Sequence, residues 1–270
     1  MNKIEWVNQL RRSELDLVIP FLIKKAKILE IGAGTGYQAN ILRELGYNIV
    51  PIDLALDLRT SAHSRLHAGY NKLNIVEYDG ENVPFPDSNF DVVFSSNVLE
   101  HIDNLEKIQD EIKRVLKPGG IAIHVLTTPS WRFWTSLTNY IYIMRLVTNY
   151  MGNIFYKRDN SLSPFYEKNE FNKKIGNYGL KRKIIRLLIP PMQGVRGNVL
   201  TEMFYFSRFF WLPLFERTGW NVEKYFPNRV FYTDFVACGP KLNLKTRKTL
   251  SFFLGSSCII YILKNNGNTK

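Results

Sequence analysis

Three observations predict an α/β protein built on a doubly wound, mostly parallel sheet. Short apolar runs rich in β-branched residues recur through the first 128 residues. Segments of helical periodicity separate them, so each strand feeds a crossover, and crossovers of this kind are right-handed and place helices on both sheet faces. A glycine-rich turn directly follows the first strand. In such sheets ligands sit beyond the carboxyl ends of the strands, near the switch in strand order.

Residues 1–26 (MNKIEWVNQLRRSELDLVIP and onward) form an N-terminal helical segment whose regular charges argue against a signal peptide. The strands are Lys27–Ile31, Asn48–Asp53, Leu73–Asp79, Phe90–Ser96 and Ile121–Thr127. The clearest helix is Asp103–Leu116. Asp103 and Glu106 stand in capping-box relation, and Leu105, Ile108, Ile112, Val115 and Leu116 share one face. Lys113, Arg114 and Lys117 suit the negative end of its dipole, and Pro118-Gly119-Gly120 stops it.

Composition divides the chain. The whole carries a formal net charge of +12, but residues 1–128 hold 14 Lys+Arg against 17 Asp+Glu, and residues 129–270 hold 22 against 7. Of the 37 aromatics, 28 lie in the second part. A step this large separates a standard core from a region adapted to a partner. Two cysteines, Cys238 and Cys258, make neither a disulfide framework nor a cysteine-rich metal site. That usage, with no apolar run long enough to span a bilayer, predicts a cytoplasmic protein, at most peripheral on the inner face of a membrane.

The chemistry centres on Leu29–Tyr37, LEIGAGTGY. Gly32, Gly34 and Gly36 follow a strand and open a helix, so the backbone can turn tightly and approach a ligand closely. The third glycine comes two positions after the second, not three, which disfavours the dinucleotide fingerprint and hence an NAD(P)-dependent oxidoreductase. An acid precedes the turn, Glu30, and another, Asp53, ends the next strand.

With these residues the stretch Lys27–Thr128 resembles the class I S-adenosylmethionine-dependent methyltransferases, in particular the type 11 small-molecule group. The passage PFPDSNFDVVFSSNVLEHI and the Leu116–Gly120 sequence LKPGG agree with that family in order and spacing. The resemblance implies a Rossmann-like seven-stranded sheet with an antiparallel last strand. Residues 27–128 would be the cofactor-binding core, 129–201 a helical insertion acting as substrate lid, and 202–270 the last helix and strand hairpin. It implies S-adenosyl-L-methionine as cofactor. Glu30, Gly32, Gly34 and Gly36 would hold its methionine part, Asp53 both ribose hydroxyls, Asp79 with Gly80 the adenine amino group, and Ser96 and Asn97 would make backbone contacts. A carboxylate has two oxygens to offer a vicinal diol.

Bland roles compete at several of these positions. Asp57 is the neighbouring carboxylate to Asp53, and Asp79 could simply cap a turn with Gly80. His101, ahead of the capped helix, is the candidate general base for a hydroxyl acceptor; its competing role is packing at the strand–helix junction. His124 lies within a strand and reads as a core residue. His63 and His67 have i, i+4 spacing but no third ligand, so no metal is expected.

In the second half the last helix is placed at Phe204–Thr218 and the closing strands at Trp220–Ala237 and Cys258–Leu263. In the insertion Trp134, Leu137, Ile141, Met144 and Met151 fall near one helical face, broken by Arg145. Large rings mixed with cations fit three roles: packing the lid, contact with a lipid-like acceptor or anionic membrane, or nucleic-acid binding. The fourth strand ends SSNV, which lacks the Asn/Asp-Pro-Pro-aromatic loop of amino-methylating base enzymes, and no Pro-Cys nucleophile of the cytosine-carbon type occurs, so nucleic acid is disfavoured. The reading is O- or C-methylation of a small or lipid-linked metabolite. The non-catalytic alternative is a methyltransferase-like module that docks through its basic aromatic half.

Overall fold

A computed structural model describes residues 3–55, 74–155, 190, 192–233 and 239–265. Helix α1 (Lys3–Val18) leads through a 3-10 turn at Ile19–Phe21 into β1 (Lys27–Ile31). Then follow α2 (Tyr37–Glu44), β2 (Asn48–Leu54), β3 (Val76–Tyr78), β4 (Phe90–Ser96), α3 (Leu105–Val115) and β5 (Leu116–Thr127). Helix α4 (Pro129–Phe155) starts immediately after β5. Short α5 (Glu202–Tyr205), α6 (Arg208–Arg217), β6 (Trp220–Pro227), α7 (Leu244–Leu254) and β7 (Cys258–Asn265) close the chain.

The seven strands run in the order β3-β2-β1-β4-β5-β7-β6. Neighbours from β3 to β5 pair in parallel, and β7 is antiparallel to both β5 and β6. The chain winds outward from β1 in one direction and from β4 in the other. Their adjacent carboxyl ends therefore open a crevice.

Alternation along the strands builds two cores. Ile28, Val92, Phe94, Ile123 and Val125 face Leu15 and Val18 of α1 and Ile41 and Leu42 of α2. Leu29, Ile31, Val93, Ala122 and Leu126 face Ile108, Ile112 and Val115 of α3 and Trp211, Leu214 and Phe215 of α6. Strands buried on both faces carry apolar residues at successive positions, which is why they read as continuous runs.

Several expectations are corrected. The cap of α3 is Asn104, whose side chain accepts the Lys107 N–H at 3.0 Å, one residue beyond the expected Asp103. Glu106, freed from a capping box, pairs with Arg217 at 2.6 Å. The expected helix at Phe204–Thr218 is broken between α5 and α6, because Ser207 is extended (ψ 157°) and starts a new helix. That break turns Phe206 inward, where it is buried. Strand β6 ends at Pro227, which lacks a ladder N–H, well short of Ala237. Helix α7 was not expected at all. His63, His67 and Asp57 lie outside the described residues.

A buried ion pair fastens α4 to the segment before α6. Arg132 Nε donates to Glu202 Oε2 at 2.7 Å, with side chains 1% and 0% exposed. Glu202 Oε1 accepts the N–H groups of Gln193 and Gly194, each at 2.7 Å. Removing one partner strands a buried charge, so Glu202→Ala is expected to lose about 3–5 kcal/mol in urea unfolding. The double change Arg132→Met with Glu202→Leu is expected to recover most of it.

Candidate active site

A cavity of about 740 Å³ opens at the carboxyl ends of β1, β2 and β4. Its size falls in the usual range for small-molecule sites. One half is built from the glycine turn. Gly32 and Ala33 N–H both donate to the Ile52 carbonyl, at 2.9 and 3.0 Å, which ties the turn to β2. Gly32 has φ +73°, and a Cβ there would sit 2.3 Å from Val98 Cγ2, so no larger residue fits. Gly34 has φ +58°, and a Cβ there would meet nothing within 4 Å, leaving open space beside the cavity. Gly36 caps α2 from the left-handed region and does not line the cavity.

Asp53 lines the cavity and is oriented by the turn. Its Oδ2 accepts the Gly34 N–H at 2.5 Å, and its Oδ1 accepts the Leu54 N–H at 2.7 Å. Glu30 lies behind the turn, buried and away from the cavity wall. Desolvation first, then the nearby Asp53 charge, push its carboxyl up to about 8, against the opposing pull of Arg11. Its Oε2 has no hydrogen-bond partner. The structure thus places Glu30 as a support behind the turn and not as a wall of the cavity.

Asp79 and Gly80 sit at the rim. Asp79 Oδ1 accepts the N–H groups of Glu81 and Asn82 at 2.8 and 2.7 Å, and Oδ2 accepts Asn82 Nδ2 at 2.6 Å. These bonds hold the exposed carboxyl down at about 2. Asp79 therefore caps a turn while facing the rim. Ser96 and Asn97 also line the cavity, and their side chains are engaged. Ser96 Oγ accepts Arg11 Nη1 at 2.9 Å and Asn97 Nδ2 at 3.1 Å. Asn97 is itself left-handed at φ 56°.

The other half holds His101 and an aromatic wall. His101 ends the 3-10 turn Leu99–His101 and is exposed to the cavity. Trp131, Phe206 and Tyr232 line the same side. His124 is fully buried, with Nδ1 2.8 Å from Ser95 Oγ and its ring stacked near Phe215. Desolvation lowers it to about 3, so it stays neutral in the core.

Sequence reasoning missed three contributors. Arg11 and Glu14, from α1, reach the cavity, with Arg11 Nη1 3.2 Å from Glu14 Oε2. No local pattern marks a contact spanning 85 residues to Ser96. Glu100 is buried beside His101, and burial raises its pKa. Its Oε1 accepts the Thr127 hydroxyl at 3.1 Å, and its Oε2 has no partner. The signal was present as an acid at the end of the fourth-strand loop, overshadowed by the histidine after it.

The sheet order, the glycine turn and Asp53 define a Rossmann-like methyltransferase fold. Residues 29–124 match the family described as a methyltransferase domain. Over this stretch the chain is similar to the class I S-adenosylmethionine-dependent methyltransferases, whose cofactor is S-adenosylmethionine. It is 36% identical over 104 residues to demethylmenaquinone methyltransferase from Clavibacter sepedonicus, covering 38% of this chain and 42% of that protein. It is 35% identical over 97 residues to malonyl-[acyl-carrier protein] O-methyltransferase from Serratia marcescens, covering 36% of each. The chain thus spans roughly two-fifths of the length of these curated relatives. In fold it is similar to an S-adenosylmethionine-dependent methyltransferase from Mesorhizobium loti, with TM-score 0.51 and 15% identity over 93% of this chain and 97% of that one. Among the described residues, no cluster suited to a metal ion occurs, and no helix is long and apolar enough to cross a membrane.

The residues fit the cofactor. Open space over Gly34 suits the amino-acid part, beside a carboxylate that can meet the vicinal diol of the ribose. The buried Glu30 makes a pH prediction. Its folded pKa exceeds the ordinary 4.5, so its contribution to stability is complete below 4.5 and is lost as pH rises through about 8. Glu30→Gln is expected to raise the melting temperature relative to wild type increasingly across that window. A gap that stays constant with pH would contradict the assignment.

Proposed function

We propose that the protein transfers the methyl group of S-adenosylmethionine to a small or lipid-linked acceptor, by O- or C-methylation. The observation that carries this reading is the Gly32–Gly36 turn, locked to Asp53 at one end of a cavity whose far end is aromatic. When bound, S-adenosylmethionine supplies a sulfonium methyl group that an acceptor nucleophile can displace.

The chain's own residues align, shield and handle protons. Asp53 binds the ribose hydroxyls, and backbone around Gly32 and Gly34 accommodates the amino-acid part. Asp79 and Gly80 border the adenine end. Ser96 and Asn97 border the centre through their backbone. Glu30 supports the turn from behind, and Gly36 starts α2. Trp131, Phe206 and Tyr232 surround the acceptor and exclude water. Alignment alone can supply about 7–11 kcal/mol of the barrier. For a hydroxyl acceptor His101 takes the proton. Buried Glu100, its pKa raised by desolvation, steadies the neighbouring loop through Thr127.

Relatives named for a quinone and for an acyl-carrier-linked acid support an acceptor on an apolar or extended carrier. The aromatic wall and the excess positive charge beyond residue 128 support peripheral contact with an anionic membrane.

Two variants separate binding from turnover. Asp53→Ala is expected to weaken S-adenosylmethionine binding at least tenfold by calorimetry, roughly the loss of one charge-assisted bidentate contact. Asp79→Ala should cost less, because Asp79 spends its bonds on a turn. His101→Ala is expected to keep cofactor affinity but to slow labelled-methyl transfer into a cellular lipid extract by about a hundredfold. Equal affinity in Asp53→Ala and wild type would contradict the cofactor site, and an unchanged rate in His101→Ala would remove the base.

A further inference from the structure

We propose that the outer face of α7, with Phe133 at the start of α4, is a docking surface for an anionic lipid bilayer beside the acceptor end of the cavity. Lys245, Lys248, Thr249 and Phe252 recur at i, i+3, i+4 and i+7 on α7, and all are exposed. Phe252 is 70% and the adjoining Phe253 85% exposed. The opposite face is fixed to the protein by a buried cation. Arg247 donates to the carbonyls of Leu242, Phe231 and Gly239 at 3.0, 2.9 and 2.6 Å. The helix therefore cannot roll to hide its phenylalanines without unmaking these bonds. This inverts the ordinary amphipathic pattern, with a guanidinium inside and two large rings outside.

The end of α7 joins the start of α4. Ser130 Oγ and Trp134 Nε1 both donate to the Leu254 carbonyl, at 2.6 and 2.9 Å. Phe133, 50% exposed, packs edge-on against Trp134. Arg229 places its guanidinium 5.6 Å from the Phe252 ring centroid. Exposed rings and cations are thus contributed by three chain segments to one side of the molecule.

Charge selects the partner. Residues 129–155 and 239–265 contain no aspartate or glutamate, so nothing on either helix repels an anionic surface. A soluble polyanion would need the cations but not Phe252 and Phe253. A bilayer satisfies both, with rings at headgroup level and lysines on lipid phosphates. The surface also adjoins the cavity. Trp131, two residues before Phe133, lines it, as do Ser257 and Cys258, just after α7. An acceptor carried in the bilayer would thus enter at the aromatic wall. This last step rests on the methyltransferase reading, whereas docking itself does not.

The test is co-sedimentation of the full chain with phosphatidylcholine vesicles, with and without phosphatidylglycerol. The protein is expected to pellet only with the anionic vesicles. Phe252→Ser with Phe253→Ser should reduce binding about tenfold, and Lys245→Glu with Lys248→Glu should abolish its salt dependence. Cofactor affinity, measured without vesicles, should be unchanged in both, so loss of docking and loss of the cofactor site are told apart. Wild-type protein that stays in the supernatant overturns the proposal, as does a double phenylalanine variant that pellets like wild type. Self-association abolished by that variant, or binding of single-stranded RNA in place of vesicles, assigns the surface to another partner and equally overturns it.

Discussion

The site depends on one hydrogen bond and the backbone that makes it available: the Gly34 N–H held by the Asp53 carboxylate. It joins the turn after β1 to the end of β2, and the paired bonds from Gly32 and Ala33 to Ile52 fix the same junction. Val98 presses on Gly32 from the β4 side. Three neighbouring strands thus set the position of one turn. Left-handed dihedrals at Gly32 and Gly34 cost a glycine little; the absent side chain at Gly32 makes room for Val98, and the one at Gly34 leaves open space for a ligand.

Behind that turn lies an uneasy electrostatic arrangement. Glu30 is buried close to Asp53, and both cannot comfortably be charged. Arg11 from α1 offsets this, and it also reaches Ser96 at the crevice. The N-terminal helix is therefore part of the site's electrostatics as well as a cover for the sheet. Across the cavity Glu100 repeats the motif of a desolvated carboxyl beside a more exposed polar group.

Much of this was legible because β1 and β4 are buried on both faces, so their apolar runs have sharp ends; Lys27–Ile31 and Phe90–Ser96 agree residue for residue with the sequence reading. The edge strand is shorter than expected, Val76–Tyr78, because an edge has only one partner to define its length. The cap of α3 shifted by one residue because Asp103 and Asn104 are both good caps and only geometry chooses. Helix α7 escaped notice for a clearer reason. With Arg247 inside and Phe252 and Phe253 outside, its pattern runs against the rule that apolar residues mark the buried face. Among site residues, the glycines and Asp53 carry a local signature. Arg11 matters through a contact distant in sequence, which no spacing announces.

The most direct measurement is a crystal structure of the protein soaked with S-adenosylhomocysteine. The account predicts density in the crevice, with both ribose hydroxyls on the Asp53 carboxylate and the amino-acid tail over Gly34. A crevice left empty at saturating ligand, or a nucleoside bound away from Asp53, would contradict it.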